Sequence, residues 1–447
     1  MQPLLKRLRA LPRWYVITTM GVLLTLVSVV LVVVLAVPTT PDENGKGRGP
    51  SGSITGTATV APPTPGKGTP SATKTPGATN LPVTVDGIHI GLAFDSQVTD
   101  LASLSGKVDL VWGASKAQSI PGAFTIGYNP SERIGNGTVG PLYTIDWFQK
   151  NHPDWIVYTC DKKTPAYGFG EPNTPIDITN PAVLQFVMQQ QIVPQIKAGY
   201  QGIGFDNVGF TNAWERCGHF DAQRQWVQIY SGLPQDPRYQ QSLLAWGQNI
   251  HKLIKDYAPT IKISMNFSFD YGHRAFWQQM LPYIDILTDE GGFSNFGSPG
   301  FPYVTGAAWQ SYVTFLQQFQ RADDTRGLFL FAQFPGTTVS SSQLMWALSN
   351  YLLVKGRHAY TTIVGAQQYG QFYDHPEFHL AIGTPQGDFA ANGCAYQRLY
   401  TKVIVLVNPS GNAACTVTLP HAYKSGSGAT VTVLTLASYS GAILATP

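Results

Sequence analysis

Between residues 88 and 364 short apolar runs alternate with longer helix-like stretches, and this alternation restricts the chain to one class of fold. The strand candidates are Ile88–Phe94, Val108–Trp112, Trp155–Cys160, Gly202–Asp206, Ile261–Asn266, Ile284–Asp289, Gly327–Gln333 and Ala359–Val364. Helical patterns fall at Pro181–Ala198, Gln240–Tyr257, Arg274–Leu281, Ala307–Arg321 and Ser341–Lys355. Thr179 or Asn180 is placed to cap the first of these, with Pro181 at its first position, and a serine cluster precedes the last. Strands that read as continuous apolar runs and alternate with helices imply an α/β fold with a covered parallel sheet. Eight such units predict a closed (β/α)₈ TIM barrel. A doubly wound open sheet is the competitor. No Gly-x-Gly-x-x-Gly turn joins a strand to a helix, which argues against dinucleotide binding. The second unit is the weakest, and Gly113–Gly140, rich in Gly and Pro, reads as a long loop over the active face.

After residue 376 the pattern changes to short β-type runs: Leu399–Asn408, Cys415–Leu419, Ala429–Leu436 and Gly441–Leu444. They predict a small antiparallel β-sandwich domain over 377–447. The other end of the chain is different again. Lys6, Arg7, Arg9 and Arg13 in the basic segment 1–14 precede an uncharged apolar run over 15–37. A span of about 20 residues crosses a hydrocarbon core, and basic residues before it hold the N-terminus in the cytoplasm. The expectation is an uncleaved transmembrane anchor, with a cleaved secretory signal as the alternative. Residues 38–80 are rich in Pro, Thr, Gly and Ser and read as a disordered linker. The barrel then occupies 81–376 and lies outside the cytoplasm, on the cell surface or secreted.

Charge and cysteine content fit this partition. The first 80 residues hold eight Lys/Arg and two Asp/Glu, leaving 21 basic and 24 acidic residues for the rest. The folded part therefore has no basic footprint for nucleic acid. Charged residues make up 12% of the chain and aromatics another 12%. That balance suits a neutral, ring-faced polymer such as a glycan. The four cysteines, Cys160, Cys217, Cys394 and Cys415, are an even set in an oxidising compartment. Their positions point to Cys160–Cys217 and Cys394–Cys415, with unpaired buried thiols as the alternative. Their spacing does not match a zinc site, and neither His-x-x-x-His nor His-Glu-x-x-His occurs. No metal or other cofactor is expected. The absence of a Gly-x-Ser-x-Gly elbow argues against an α/β-hydrolase esterase.

In a barrel the reactive residues stand at the C-terminal ends of strands. Those positions hold Asp95, Asp161, Asp206 with Asn207, Asn266, Asp289 with Glu290, and Gln333. Two segments stand out. Gly202-Ile203-Gly204-Phe205-Asp206 ends an apolar strand in an acid. Ile286-Leu287-Thr288-Asp289-Glu290 ends another in two acids, followed by glycines. Strand alternation points Asp289 and Glu290 in opposite directions, and Glu290 is the favoured reactive group. Two carboxylates across a cleft are the minimum for hydrolysing a glycoside, one protonated to donate to the leaving oxygen and one ionised. Asp95, Asp161, Asn207, Asn266, Asp289 and Gln333 are candidates to hold a sugar. Trp112, Tyr128, Trp214, Tyr271 and Tyr369 are candidate flat faces, with Trp112 and Tyr369 preferred. His219 and His273 fall in loops near the mouth. For each acid the competing reading is a cap or an ordered loop.

The stretch Asp177-Ile178-Thr179-Asn180-Pro181, a helix, and then Gly202-Ile203-Gly204-Phe205-Asp206-Asn207 resembles a bacterial glycoside-hydrolase-like (β/α)₈-barrel family. So do Val405-Leu406-Val407-Asn408-Pro409 and Leu380-Ala381-Ile382-Gly383-Thr384-Pro385 near the C-terminus, which look like that family's β-domain. The resemblance implies a barrel glycosidase with an acid after strand four, matched by Asp206, and a later-strand partner, matched by Glu290. The arrangement on strands four and six is also similar to that of the α-galactosidase clan. Gly204 and the Asp289-Glu290 pair depart from the family pattern. The expected reaction is hydrolysis of an extracellular glycan; a non-catalytic carbohydrate-binding or structural envelope protein is the alternative.

Overall fold

The computed structural model describes residues 80–135, 143–168, 173–267, 273–295, 303–368 and 370–447. The expected anchor at 15–37 and the linker up to residue 79 lie outside the described residues. Among the described residues no helix is long and apolar enough to cross a membrane.

Eight parallel strands follow one another in chain order: β1 (Gly91–Ala93), β2 (Leu110–Trp112), β3 (Phe124–Pro130), β4 (Gly202–Asp206), β5 (Lys262–Asn266), β6 (Ile286–Asp289), β7 (Gly327–Phe334) and β8 (His358–Gly365). A parallel bridge from Ile90 to Thr361 brings β8 back to β1. The Thr361 N–H donates to the His89 carbonyl at 3.0 Å across this seam. The sheet is a nearly closed barrel.

One strand differs from expectation. Trp155–Cys160 is not in the barrel, and its place is taken by Phe124–Pro130, inside the segment that reads as a loop. Gly127, Asn129 and Pro130 hide this strand. A Cβ on Gly127 would lie 2.2 Å from Gln195 Oε1, so the glycine admits a helix side chain against the strand. Gln195 in turn accepts from Asn129 Nδ2 at 3.0 Å and donates to the Tyr128 carbonyl at 3.2 Å. The polar residue that breaks the apolar pattern is thus satisfied from the helix layer. Because one strand leaves and another enters ahead of it, Asp206 still ends strand four and Glu290 still follows strand six.

Leu110, Trp112, Phe124, Ile126, Ile286, Phe329 and Tyr360 fill the barrel interior, and Leu81 packs with them where the chain enters. Gly204 belongs to this packing. A Cβ there would lie 2.8 Å from the Trp112 indole nitrogen, which crosses the barrel to donate to Ser264 Oγ at 3.1 Å.

The helix layer contains α1 (Ile145–Asn151), then α2 (Pro181–Val187), which runs through a π turn (Met188–Ile192) into α3 (Val193–Ala198). Asn180 caps α2 by accepting the Ala182 N–H at 2.9 Å. The π turn falls just before Pro194, which has no N–H for the preceding turn. After β4, β5, β6 and β7 come α4 (Pro237–Tyr257), α5 (Arg274–Met280), α6 (Gly306–Ala322) and α7 (Ser341–Val354). Ser340 and Gln343 form a capping box on α7.

The loops after β3 and β4 are long and pair with each other. Tyr158–Thr159, Arg216–Phe220 and Trp226–Gln228 make a three-stranded antiparallel sheet. The Cys160–Cys217 disulfide joins the same two loops. A buried ion pair between Arg216 and Glu132, at 2.6 Å, holds their bases together.

The C-terminal domain is the expected small antiparallel, sandwich-like β-domain, built as one six-stranded sheet curved into a half-barrel. Its strands are β9 (Ala390–Asn392), β10 (Ala395–Leu399), β11 (Val403–Asn408), β12 (Cys415–Lys424), β13 (Thr430–Leu436) and β14 (Ser440–Ala445). The long run expected at Leu399–Asn408 breaks at Thr401-Lys402, giving β10 and β11. Cys394–Cys415 is the second disulfide. The domain packs on α7. This helix is apolar on nearly every side because it is covered on both, by the barrel and by the β-domain. Arg398 donates to the carbonyls of Leu352, Leu353 and Lys355, closing the C-terminal end of α7.

Candidate active site

The ends of β3, β4, β5 and β6 bring one set of polar side chains together. Asn266, the last residue of β5, is fully buried (0% exposed). Its Nδ2 donates to Asp206 Oδ1 and to Glu290 Oε2, each at 2.9 Å. An amide nitrogen carries two hydrogens, so each carboxylate receives one. Two bonds of that length to one atom hold the nearest oxygens of the two acids no farther apart than twice it. Asn266 Oδ1 also accepts the Glu290 N–H at 3.3 Å. The amide therefore fixes the backbone of one acid and the side chains of both.

Asp206 is 8% exposed and well supplied with donors. The Tyr128 hydroxyl donates to Oδ2 at 2.8 Å, and the Asn207 N–H to Oδ1 at 2.8 Å. Burial pushes the Asp206 carboxyl above the usual carboxylate range. The Tyr128 and Asn207 donors, the Arg133 charge and the Asn266 amide all work against that rise. Burial and the charge on Asp206 push the Tyr128 phenol well above its ordinary value, so it stays a donor. Glu290 is half-buried. Gln333 Nε2, at the end of β7, donates to the Glu290 carbonyl at 3.3 Å and approaches Oε1 at 3.4 Å.

Asn207 carries the backbone away from Asp206 with φ +58°, the left-handed region that asparagine tolerates better than most residues. Arg133 Nη1 donates to Asn207 Oδ1 at 2.6 Å, and Ser131 Oγ donates to its carbonyl at 3.1 Å.

The structure thus brings Asp206, Glu290, Asn207, Asn266 and Gln333 together, but Asn266 lies beneath the acids as their support. Four expected sugar contacts sit elsewhere. Trp112 is 1% exposed, deep in the barrel, and its ring meets Phe94 and Tyr128 edge-on. Asp161 lies on an exposed turn and accepts from the Thr164 N–H and hydroxyl, the Lys163 N–H and the Thr159 hydroxyl. Those bonds hold its carboxyl far below the usual range. Asp289 points outward to α6, accepting from the Tyr312 hydroxyl and from the Gly291 N–H at 3.1 Å. Strand alternation sends it away from Glu290. Asp95 is buried and takes the Ser115 N–H at 2.9 Å, tying the loop after β1 to the loop after β2. Tyr369 and Tyr271 lie outside the described residues.

His219 Nδ1 is 3.1 Å from Asp177 Oδ2, and His273 Nε2 is 2.8 Å from Gln235 Oε1; neither pair includes Asp206 or Glu290. The Trp214 ring packs over Gly168. Sequence reasoning missed Arg133 altogether, and took Tyr128 for a flat face where it is a donor to Asp206. Both follow from the hidden strand β3. The signal that could have found them is the alternation Phe124, Ile126, Tyr128. Among the described residues no cluster of His, Cys, Asp and Glu is arranged to hold a metal ion.

No family model matches the chain, and no curated protein does. Solved structures similar to it include Eubacterium rectale Amy13B, at 12% identity and a TM-score of 0.46, covering 85% of this chain and 99% of that one. The glycoside hydrolase domain of PelA from Pseudomonas aeruginosa is 13% identical, with a TM-score of 0.37, covering 62% and 95%. The GH36 α-galactosidase AgaA from Geobacillus stearothermophilus is 11% identical, with a TM-score of 0.39, covering 81% and 55%.

Proposed function

We propose that the chain is a glycoside hydrolase acting on an extracellular glycan through Asp206 and Glu290. The observation that carries this reading is the Asn266 amide, which gives one N–H to each carboxylate at the barrel mouth. Asp206 is the nucleophile: three donors and a nearby guanidinium stabilise its ionised form more than its neutral one and oppose the effect of burial. Glu290 is the general acid. It is the more exposed of the two, so a departing oxygen and later a water can reach it. In the first step Asp206 attacks the anomeric carbon while Glu290 gives its proton to the departing oxygen. In the second Glu290 takes a proton from water as the glycosyl–Asp206 ester is cleaved. The shared nitrogen holds one oxygen of each acid close to the other, which suits a substrate bound between them. Asn207 and Gln333 flank the acids and are proposed sugar contacts, and Tyr369 remains one from the sequence alone.

The two disulfides support an oxidising compartment. The apolar run at 15–37 supports a membrane anchor, with the barrel outside. The function is tested by incubating the protein, Asp206→Asn and Glu290→Gln with a panel of polysaccharides and following reducing ends. We expect the wild type to release sugar from at least one glycan and Asp206→Asn to lose about 10³-fold or more of that rate. Release at equal rates by all three forms would overturn the assignment. Retention of a glycan without release, over long incubation, would favour the binding-module alternative.

A further inference from the structure

The segment just after β3 does more than close a turn. Pro130 pairs with Asp206 in the barrel register, and the Ser131 N–H donates to the Asp206 carbonyl at 3.0 Å. Glu132 and Arg133 then leave in different directions. Glu132 accepts from Arg216 at 2.6 Å and from the Tyr239 hydroxyl at 3.2 Å. Arg133, also buried, gives Nη1 to Asn207 Oδ1 at 2.6 Å, while Ser131 Oγ holds the Asn207 carbonyl. Asn207 is in the left-handed region, and that conformation aims its N–H back at Asp206 Oδ1. The guanidinium therefore touches Asp206 through one intermediary and acts on it directly through space.

We infer that Arg133 is a positioning residue for Asp206, holding Asn207 so that its N–H stays on the carboxylate and placing a positive charge near that carboxylate. The inference rests on the role proposed for Asp206, and it adds a residue outside the strand ends. Arginine suits the task because it stays charged at any working pH and its planar fork meets an oxygen in fixed geometry. Among the described residues, the titratable and charged groups facing Asp206 are Tyr128 from β3, Arg133 from the segment after it, and Glu290 across Asn266. Of these, Arg133 alone brings positive charge. Beside a buried carboxyl its removal is felt strongly, since an adjacent guanidinium lowers a carboxyl by about 1–3 pH units.

The test reads the carboxyl itself, so it does not depend on finding a substrate. The full-length chain is labelled with ¹³Cγ-aspartate, the Asp206 signal is assigned by its loss in Asp206→Asn, and its titration is followed in Arg133→Gln and Arg133→Lys. The Asp206 midpoint is expected to rise by about one pH unit or more in Arg133→Gln and by less in Arg133→Lys. Asn207→Gly is the second variant, read even if Arg133→Gln fails to fold. Glycine keeps the left-handed backbone and the N–H but offers Arg133 no amide oxygen, and the midpoint should again rise. An unchanged midpoint in the folded variants would overturn the inference. If the midpoint moves but the wild type cleaves no glycan, the hydrolase reading fails and the inference about Arg133 stands.

Discussion

The Tyr128 hydroxyl is the donor to Asp206 most easily removed without disturbing the barrel. Its ring sits edge-on to Trp112 at 5.6 Å and tilted to Phe94 at 5.3 Å, and phenylalanine keeps both contacts. Its O–H stabilises the ionised carboxylate more than the neutral acid, so Tyr128→Phe is expected to raise the Asp206 pKa further. The acid limb of kcat/KM should then move to higher pH. A hydrogen bond to a charged group is worth about 1.5–3 kcal/mol, so the limb should move by about one pH unit or more. A pH–rate profile of Tyr128→Phe that superposes on the wild type would show that the hydroxyl does not serve Asp206. Asn266 is the opposite case. It is buried and bonded to both acids, and its replacement would disturb geometry and ionisation together.

At the level of elements, legibility followed from how each one is buried. Gly202–Asp206 is buried along its whole length and reads as an apolar run ending in an acid. Helix α7 is announced by the serine cluster at its start, where Ser340 is the cap. Asp206 and Glu290 were visible because strands four and six end in acids, and alternation separated Glu290 from Asp289. Strand β3 was not visible. Its glycine exists for a helix residue 68 positions later, Gln195, and its asparagine is satisfied by the same side chain. A periodicity argument sees only neighbours in sequence, so a strand whose polar residues are paid for from another layer reads as loop. The converse error, at Trp155–Cys160, has the same origin. Its β-pairing is with the loop after β4, and local pattern carries no information on which sheet a strand joins. The curvature of the C-terminal sheet was equally hidden, because one face of a half-barrel alternates like one face of a sandwich.

Across the whole molecule, residues 81–85 pack at the end of the barrel opposite Asp206 and Glu290. Leu81 packs into the interior there, and the Pro82 carbonyl accepts the Tyr360 hydroxyl at 2.8 Å. The same end holds Lys355, just beyond α7, whose Nζ donates to the carbonyls of Thr84 and Val85. Burial, and then the charge of Arg398, bring its pKa down from 10.5 to about 7. A neutral amine still has two hydrogens for two carbonyls. Below about pH 7 both folded and unfolded chains hold the proton and the full cost of a buried charge is present. Between about pH 7 and 10.4 the unfolded chain binds more protons, so stability from this group rises with pH. The wild type should therefore gain stability relative to Lys355→Met from pH 7 to 9, by at most about 1.4 kcal/mol per pH unit, with little change from pH 5 to 6.5. Parallel Tm curves for the two proteins would show that Lys355 does not titrate in this window. The most direct measurement of the central claim concerns the carboxylate pair on Asn266. Rates of Asp206→Asn and Glu290→Gln are compared on aryl glycosides with good and poor leaving groups, using the sugar the wild type cleaves. A general acid is dispensable when the leaving group needs no proton, whereas a nucleophile never is. Glu290→Gln should approach the wild type on the best leaving group and fall steeply on the worst, while Asp206→Asn fails on both. Equal losses in the two variants, independent of the leaving group, would contradict the assigned roles.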